Sequence, residues 1–257
     1  MTNYPFTHKV FLFWLLYFVI VIFGWGVLIY LGLPQIAIHY DHSYLTYLLF
    51  GLYFTAEVLS ARQAWKISKE NQIADNVMEW FSKHKLHETA IHIDGSMSLI
   101  SKEIVKEKPD FDVHKIPKST MAEHFSLLVN KANANQKRIR QDTIIDVIAD
   151  RIYEKTMIAE FISARIVWIG ILATILGVIM AFWPMIDGVS IDTMKTNLGA
   201  FFGGIAVAFI PTAVSFVFKI VLDFNSKIVA GGVRDLIDKI ACASETDLLP
   251  VIDHEEK

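Results

Sequence analysis

Two threonines carry most of the chemistry available in the apolar parts of this chain. Thr174 lies in "IGILATILGVIMAF" (169–182) and Thr212 in "GGIAVAFIPTA" (203–213). A hydroxyl donates one hydrogen bond and accepts others, so in lipid it can touch water or an ion. Each threonine belongs to a row of small residues. Gly170, Thr174, Gly177 and Ala181 recur at spacings of four, three and four, which places them on one helical face. Gly204, Ala208, Thr212 and Ser215 form a second such row. Small residues let helices approach closely in lipid. Two readings stand side by side. In one, the rows pack helices and the hydroxyls bond back to their own backbone. In the other, the rows line a cavity and the hydroxyls face its contents. Pro211 precedes Thr212 and has no N–H, so the Val207 carbonyl loses its usual helical donor. In hydrocarbon a side chain, a water or a neighbouring helix must make that loss good, and the adjacent Thr212 hydroxyl is a candidate.

The missing groups define the chemistry as much as those present. The central parts of the apolar stretches hold no Asp, Glu, His, Lys or Arg. Glu57, Arg165 and Lys219 lie toward the cytoplasmic ends, where long side chains can snorkel. A proton pathway normally needs an ionisable relay at depth. If protons cross here, a partner must bring the carboxylate. His84, His87, His92, His114 and His124 are scattered and form no H-E-x-x-H motif. The expectation is therefore a protein that is no enzyme, with no metal and no cofactor.

The elements that must position the threonines are membrane helices. The chain is 53% hydrophobic with mean hydropathy +0.40, and the excess is clustered at 11–33, 45–61, 166–186 and 198–222. A spanning helix needs about 20 mostly apolar residues. This predicts four transmembrane helices, TM1 about 11–33, TM2 about 43–61, TM3 about 165–186 and TM4 about 198–222. The first run is too long for a cleavable signal peptide and lacks a small-residue cleavage site. The connector "PQIAIHYDHS" has no basic residue and "DGVSIDTMKTN" has only Lys195, whereas Arg62, Lys66, Lys69, Lys227, Arg234 and Lys239 follow the second and fourth stretches. Basic residues mark the cytoplasmic side, so both termini and the middle region are expected there. The single cysteine, Cys242, allows no intrachain disulfide. A net charge of −3 of mixed sign leaves no nucleic-acid footprint.

Four segments follow: a transmembrane hairpin at 1–61, a mostly helical cytoplasmic domain at 62–160, a pore-forming hairpin at 161–225, and a cytoplasmic helix and tail at 226–257. Ile67, Ile73, Val77 and Phe81 continue the second helix at helical spacing. Residues 88–118 hold Asp-Gly and two prolines and read as loop with a short helix or hairpin. Ser119 is a candidate helix cap, and Thr120 with Glu123 has capping-box spacing. One long helix from about 121 to 171 is expected next. The cluster "KRIR", with Lys137, Arg138 and Arg140, reads as a solvated helix face or as a contact for a cytoplasmic partner. Gly231-Gly232 weakens the last helix locally.

The two threonine segments resemble the pore helices of the MotA/TolQ/ExbB proton-channel family. Ala173-Thr174 and Gly177 fall on its alanine-threonine pair and following glycine, and Ala206, Ala208 and Thr212 fall on the small residues and threonine of its next helix. The match covers 166–225. The resemblance implies an all-α membrane protein with long cytoplasmic helical extensions, assembled as a homopentamer in the bacterial inner membrane. It implies two copies of a MotB/TolR/ExbD-like single-span partner, each with a membrane aspartate. Proton flow through that aspartate would turn the pentamer, and Thr174 and Thr212 would face the path. It also accounts for the absent midplane carboxylate. A carboxylate with threonine hydroxyls would serve sodium as well. Four helices with both ends inside suit a stator-type unit; TolQ/ExbB relatives usually have three and often carry Glu where Val207 stands. A Zorya-type defence motor usually has a longer tail. A non-conducting scaffold is the plain rival, and a secondary transporter would need an inverted repeat that is not apparent.

Overall fold

The computed structural model describes residues 8–35, 44–84, 91–93, 96–97, 111–112, 117–133, 141–183 and 191–249. Five helices dominate: α1 (Lys9–Tyr30), α2 (Leu45–His84), α3 (Thr120–Asn133), α4 (Asp142–Phe182) and α5 (Ile191–Ala243). A π-helical turn, Ser244–Leu248, follows α5. Three short strands, β1 (Ile91–Ile93), β2 (Ser96–Met97) and β3 (Phe111–Asp112), qualify the all-α expectation. They form one sheet in the order β2-β1-β3, with β1 antiparallel to β2 and parallel to β3. Three stretches are long and apolar enough to cross a membrane: Lys9–Tyr30, Thr156–Phe182 and Phe201–Leu248. The fourth expected stretch, 45–61, does not meet that measure; it carries Glu57 and runs into Arg62.

The chain forms two compact units. The first comprises Leu12–Gln63 and Thr156–Ile228. Its core gathers Leu49, Tyr53 and Ala56 from α2, Ile166 from α4, and Phe218 and Leu222 from α5, with Trp25 of α1 packed against them. Contacts fix the helix directions. Tyr17 meets Phe224 and Trp25 meets Phe218, so α1 runs against α5. Tyr53 stacks on Phe218 and Glu57 meets Asn225, so α2 runs with α5. Gly170 faces Thr212 and Ser215 while Gly177 faces Ala208, so α4 runs against α5. Large apolar side chains such as Phe23, Trp168, Phe209 and Ile220 point outward, as lipid-facing surfaces require. Gly32 ends α1 in the left-handed region, φ 74°, and its N–H donates to the Ile29 carbonyl, a conformation that glycine adopts without steric cost.

The second unit comprises Met1–Phe11, Ala64–Lys155 and Val229–Lys257. Its described core includes Ile67, Ala74, Val77 and Phe81 of α2, Met121, Phe125 and Leu128 of α3, and Val233, Leu236 and Ile240 of α5. Ser119 caps α3: its hydroxyl accepts from Ala122 N–H and its carbonyl from Glu123 N–H. The Thr120 N–H donates to Glu70 Oε2 at 2.8 Å, so a carboxylate also sits at the positive end of the helix. Glu123 pairs with Arg151. That contact overturns the single helix expected from 121 to 171. One straight helix would hold residues 28 positions apart at about 42 Å. Instead α3 and α4 are separate helices, and Gln141 begins the second by accepting from Ile144 and Ile145 N–H.

The glycine pair 231–232 does not interrupt α5. A Cβ on Gly232 would lie 2.7 Å from Val10 Cγ2 and 3.0 Å from Ile67 Cγ2. The Gly232 carbonyl accepts from the Asn71 amide at 2.9 Å. The missing side chain thus permits packing that offsets the loss in helix propensity. Lys239 then bridges Asp75 and Asp235 at 2.7 and 2.9 Å.

His124 is fully buried beside Phe125. Burial pushes the imidazole down to about 4, against a smaller opposing influence of the Gln141 side chain. The native state therefore keeps His124 neutral over a range where the unfolded chain, with an ordinary imidazole near about 6.5, takes up a proton. Stability is full above that value and falls as pH drops toward 4, by up to about 3 kcal/mol. Thermal unfolding midpoints of the purified protein should decline over this window, and His124→Leu should flatten the decline. An identical slope in the variant would remove His124 as the cause.

Candidate functional site

The two small-residue rows meet in the structure. An added Cβ on Gly177 would fall 2.3 Å from Ala208 N and 2.5 Å from Ala208 Cα. One on Gly204 would fall 2.5 Å from Ala181 N and Cα. At Gly170 it would meet Ser215 Oγ at 2.2 Å and Thr212 Cα at 3.2 Å. At Gly177 and Gly204 backbone stands against backbone and leaves no room for a methyl group, so the antiparallel α4–α5 seam needs glycine there, whereas at Gly170 the nearest atoms are those of the Ser215 side chain. Ala173, Ala181, Ala208 and Ser215 are buried along it, and Pro211 is buried as well.

Thr174 and Thr212 come together on this seam. Their hydroxyl oxygens are 2.5 Å apart. Thr212 Oγ1 donates to the Gly170 carbonyl at 2.7 Å or to the Ala208 carbonyl at 3.1 Å. Thr174 Oγ1 reaches the Ala208 carbonyl at 3.1 Å and that of Gly170 at 3.4 Å. Two hydroxyls supply only two protons for these arrangements. If one proton joins the threonines, the other goes to a carbonyl, and unused oxygen lone pairs remain. Both side chains are half-buried. Back-bonding to the own helix, the plainer expectation, does occur for each threonine. Each also bonds across the seam, which periodicity alone does not predict. The Thr212 hydroxyl turns to the Gly170 and Ala208 carbonyls; Ser215 Oγ donates to the Thr212 carbonyl at 2.7 Å. This pair can rearrange its protons without moving a heavy atom far, but it holds no titratable group.

The charged residues nearer the helix ends are engaged. Lys219 pairs with Asp223 at 2.6 Å, and Ser163 Oγ donates to the same carboxylate at 2.7 Å. Arg165 lies over the Phe161 ring, 4.7 Å from its centroid. Glu57 is buried with Asn225, whose amide nitrogen donates to both carboxylate oxygens at 3.0 and 2.9 Å. Sequence reading noted Glu57 but missed Asn225. The only signal was its place on the Phe218/Leu222 face of α5. Lys137, Arg138 and Arg140 lie outside the described residues. Among the described residues no three His, Cys, Asp or Glu side chains gather as a metal would require. Comparison with known proteins finds no family model, no curated protein and no solved structure that matches the chain.

Proposed function

We propose that this chain is the ion-conducting, stator-type subunit of a proton-driven rotary motor, as its resemblance to the MotA/TolQ/ExbB family implies. In this reading five copies surround two copies of a single-span protein that supplies the membrane aspartate. The observation that supports it most is the Thr174–Thr212 pair on the α4–α5 seam. Two half-buried hydroxyls with spare lone pairs suit an ion carried on another chain's carboxylate. Hydroxyl oxygens bind weakly enough that the ion can leave, as conduction requires. Each charge moved yields about 2.3 kcal/mol per 100 mV, the work a cytoplasmic effector would receive.

The experiment is reconstitution. The chain is purified together with a single-span protein with a membrane aspartate sought among its genomic neighbours, their mass is measured in nanodiscs, and proton uptake is followed with a pH-sensitive dye in liposomes. Five copies to two and flux that stops when the partner aspartate becomes asparagine are the expected results. Robust flux from this subunit alone would reject the shared pathway. An assembled complex that conducts neither protons nor sodium would leave a scaffold.

Four crossings with both termini in the cytoplasm of a bacterial cell complete the proposal. Helices α1 and α4 share one direction and α2 and α5 the opposite one, so the chain alternates only if α2 also crosses, which favours 45–61 as the remaining crossing. Basic residues follow the apolar parts of α2 and α5, within the same helices, and mark one side. In a Cys242→Ser background, cysteines at positions 110 and 190 should differ in intact cells. A membrane-impermeant maleimide should label only position 190. Equal labelling of both from outside would overturn the topology.

A further inference from the structure

The threonine pair leaves Glu57 unused. Its carboxylate is 5% exposed and faces Asn225, which is 1% exposed. Both carboxylate oxygens accept from one amide nitrogen, and the Tyr53 hydroxyl is a further partner. Neutral donors soften a buried negative charge without cancelling it. Among the described residues no lysine, arginine or histidine pairs with Glu57. Lys219, on the same helix as Asn225, is taken by Asp223.

Buried oxygens without a partner occur on both helices next to this pair in sequence. Asn225 Oδ1, on the very amide that touches Glu57, has no hydrogen-bond partner. The Ser60 hydroxyl, one turn beyond Glu57 on α2, is fully buried and has none either. The Ser226 hydroxyl, beside Asn225 in sequence, is buried and unpartnered too. A helical serine ordinarily bonds back to a carbonyl one turn earlier, and Ser60 does not. Buried polar atoms are nearly always satisfied by protein or by an enclosed species, and the Asn225 and Ser60 oxygens are free to be met by one.

We infer that Glu57, Asn225 and Ser60 form a binding site for a monovalent metal cation of the sodium class. The donor set is oxygen throughout, which suits hard cations over transition metals. One carboxylate supplies one negative charge, whereas calcium sites draw on several carboxylates and magnesium keeps a shell of waters. A half-turn of the Asn225 amide presents Oδ1 in place of Nδ2. A proton on Glu57 would cancel the charge but serve a single acceptor, leaving the other oxygens idle. The site binds through this chain alone, so it stands apart from the proposed motor and its partner.

The test uses the purified full chain in nanodiscs, without a partner, at constant ionic strength in choline chloride. Sodium is titrated while radioactive-sodium binding and the unfolding midpoint are read. Saturable uptake of about one sodium per chain and a rising, saturating midpoint are expected. Glu57→Gln should weaken binding at least about tenfold and erase the sodium-dependent rise, and Ser60→Ala should weaken it less. Should Glu57→Gln fail to fold, Ser60→Ala and Asn225→Ala carry the test. The inference falls if sodium and choline give the same midpoint, or if the variants bind sodium as the parent does. It also falls if only pH moves the midpoint, which would assign a proton, or if magnesium or calcium displaces sodium at far lower concentration. Failure here leaves the partner-dependent flux assay untouched, and failure of that assay leaves this binding measurement standing.

Discussion

Gly204→Ala should destabilise the membrane unit severely, while Gly203→Ala, one residue away on the same helix, should be neutral or slightly stabilising. At Gly204 the new methyl would sit 2.5 Å from the Ala181 N and Cα atoms. Those are backbone atoms, which cannot rotate aside as a flexible side chain does. The helices must separate, and the Gly177–Ala208 crossing on the same seam must open with them. Overpacking typically costs about 1–3 kcal/mol and occasionally more; contact with rigid backbone puts this site at the upper end. Gly203 has no atom within 4 Å of its added Cβ, so alanine there keeps only its better helix propensity, worth up to about 1 kcal/mol. Gly177→Val should be worse than either, since the Ala208 backbone nitrogen stands 2.3 Å from its Cβ. Unfolding midpoints of the purified variants decide the matter. Equal midpoints for the 203 and 204 variants would mean that α4 and α5 do not meet as described.

The seam was legible because a close helix crossing leaves a periodic mark: the four-three-four spacing of Gly170, Thr174, Gly177 and Ala181 is the pattern of one face. The row on α5, spaced four, four and three, marks a face in the same way, but spacing alone does not say which row meets which. The Thr174–Thr212 bond could not be read in this way. It depends on the axial register of two antiparallel helices, and periodicity fixes faces but not register. The break between α3 and α4 was hidden for another reason. Both helices are individually plausible and no proline separates them, so only the Glu123–Arg151 contact exposes the reversal. Gly232 misled in the opposite sense. Intrinsic propensity marks it as a weakness, while the approach of Val10 and Ile67 makes it a packing requirement. Glu57 with Asn225 was invisible because the two lie 168 residues apart and no local pattern pairs an acid with a distant amide. The strands show both outcomes. Asp94-Gly95 between β1 and β2 is a recognised hairpin signal, but nothing local announces β3 as a parallel neighbour.

On the proposed motor reading, removing either hydroxyl of the threonine pair should lower ion flux through the reconstituted complex by at least about tenfold, equivalent to about 1.4 kcal/mol of barrier. Thr212→Val and Thr174→Val keep side-chain shape and lose the polar group. The structural cost should be small, since hydrogen bonds between membrane helices contribute about 0.6 kcal/mol on average and up to about 1.7. The glycine crossings on either side remain, so the complex should assemble with its normal mass. The paired geometry makes a sharper demand. If the hydroxyls act as one unit, the double variant should be scarcely slower than either single one, because the first substitution already breaks the Oγ1–Oγ1 contact. If each hydroxyl acts alone, the losses should multiply. Thr212→Ser restores the oxygen without the methyl group and should recover much of the flux. This separates chemistry from packing: a packing role would leave serine no better than valine. Normal flux in both valine variants, with assembly intact, would return the pair to helix packing and withdraw the ion path from the seam.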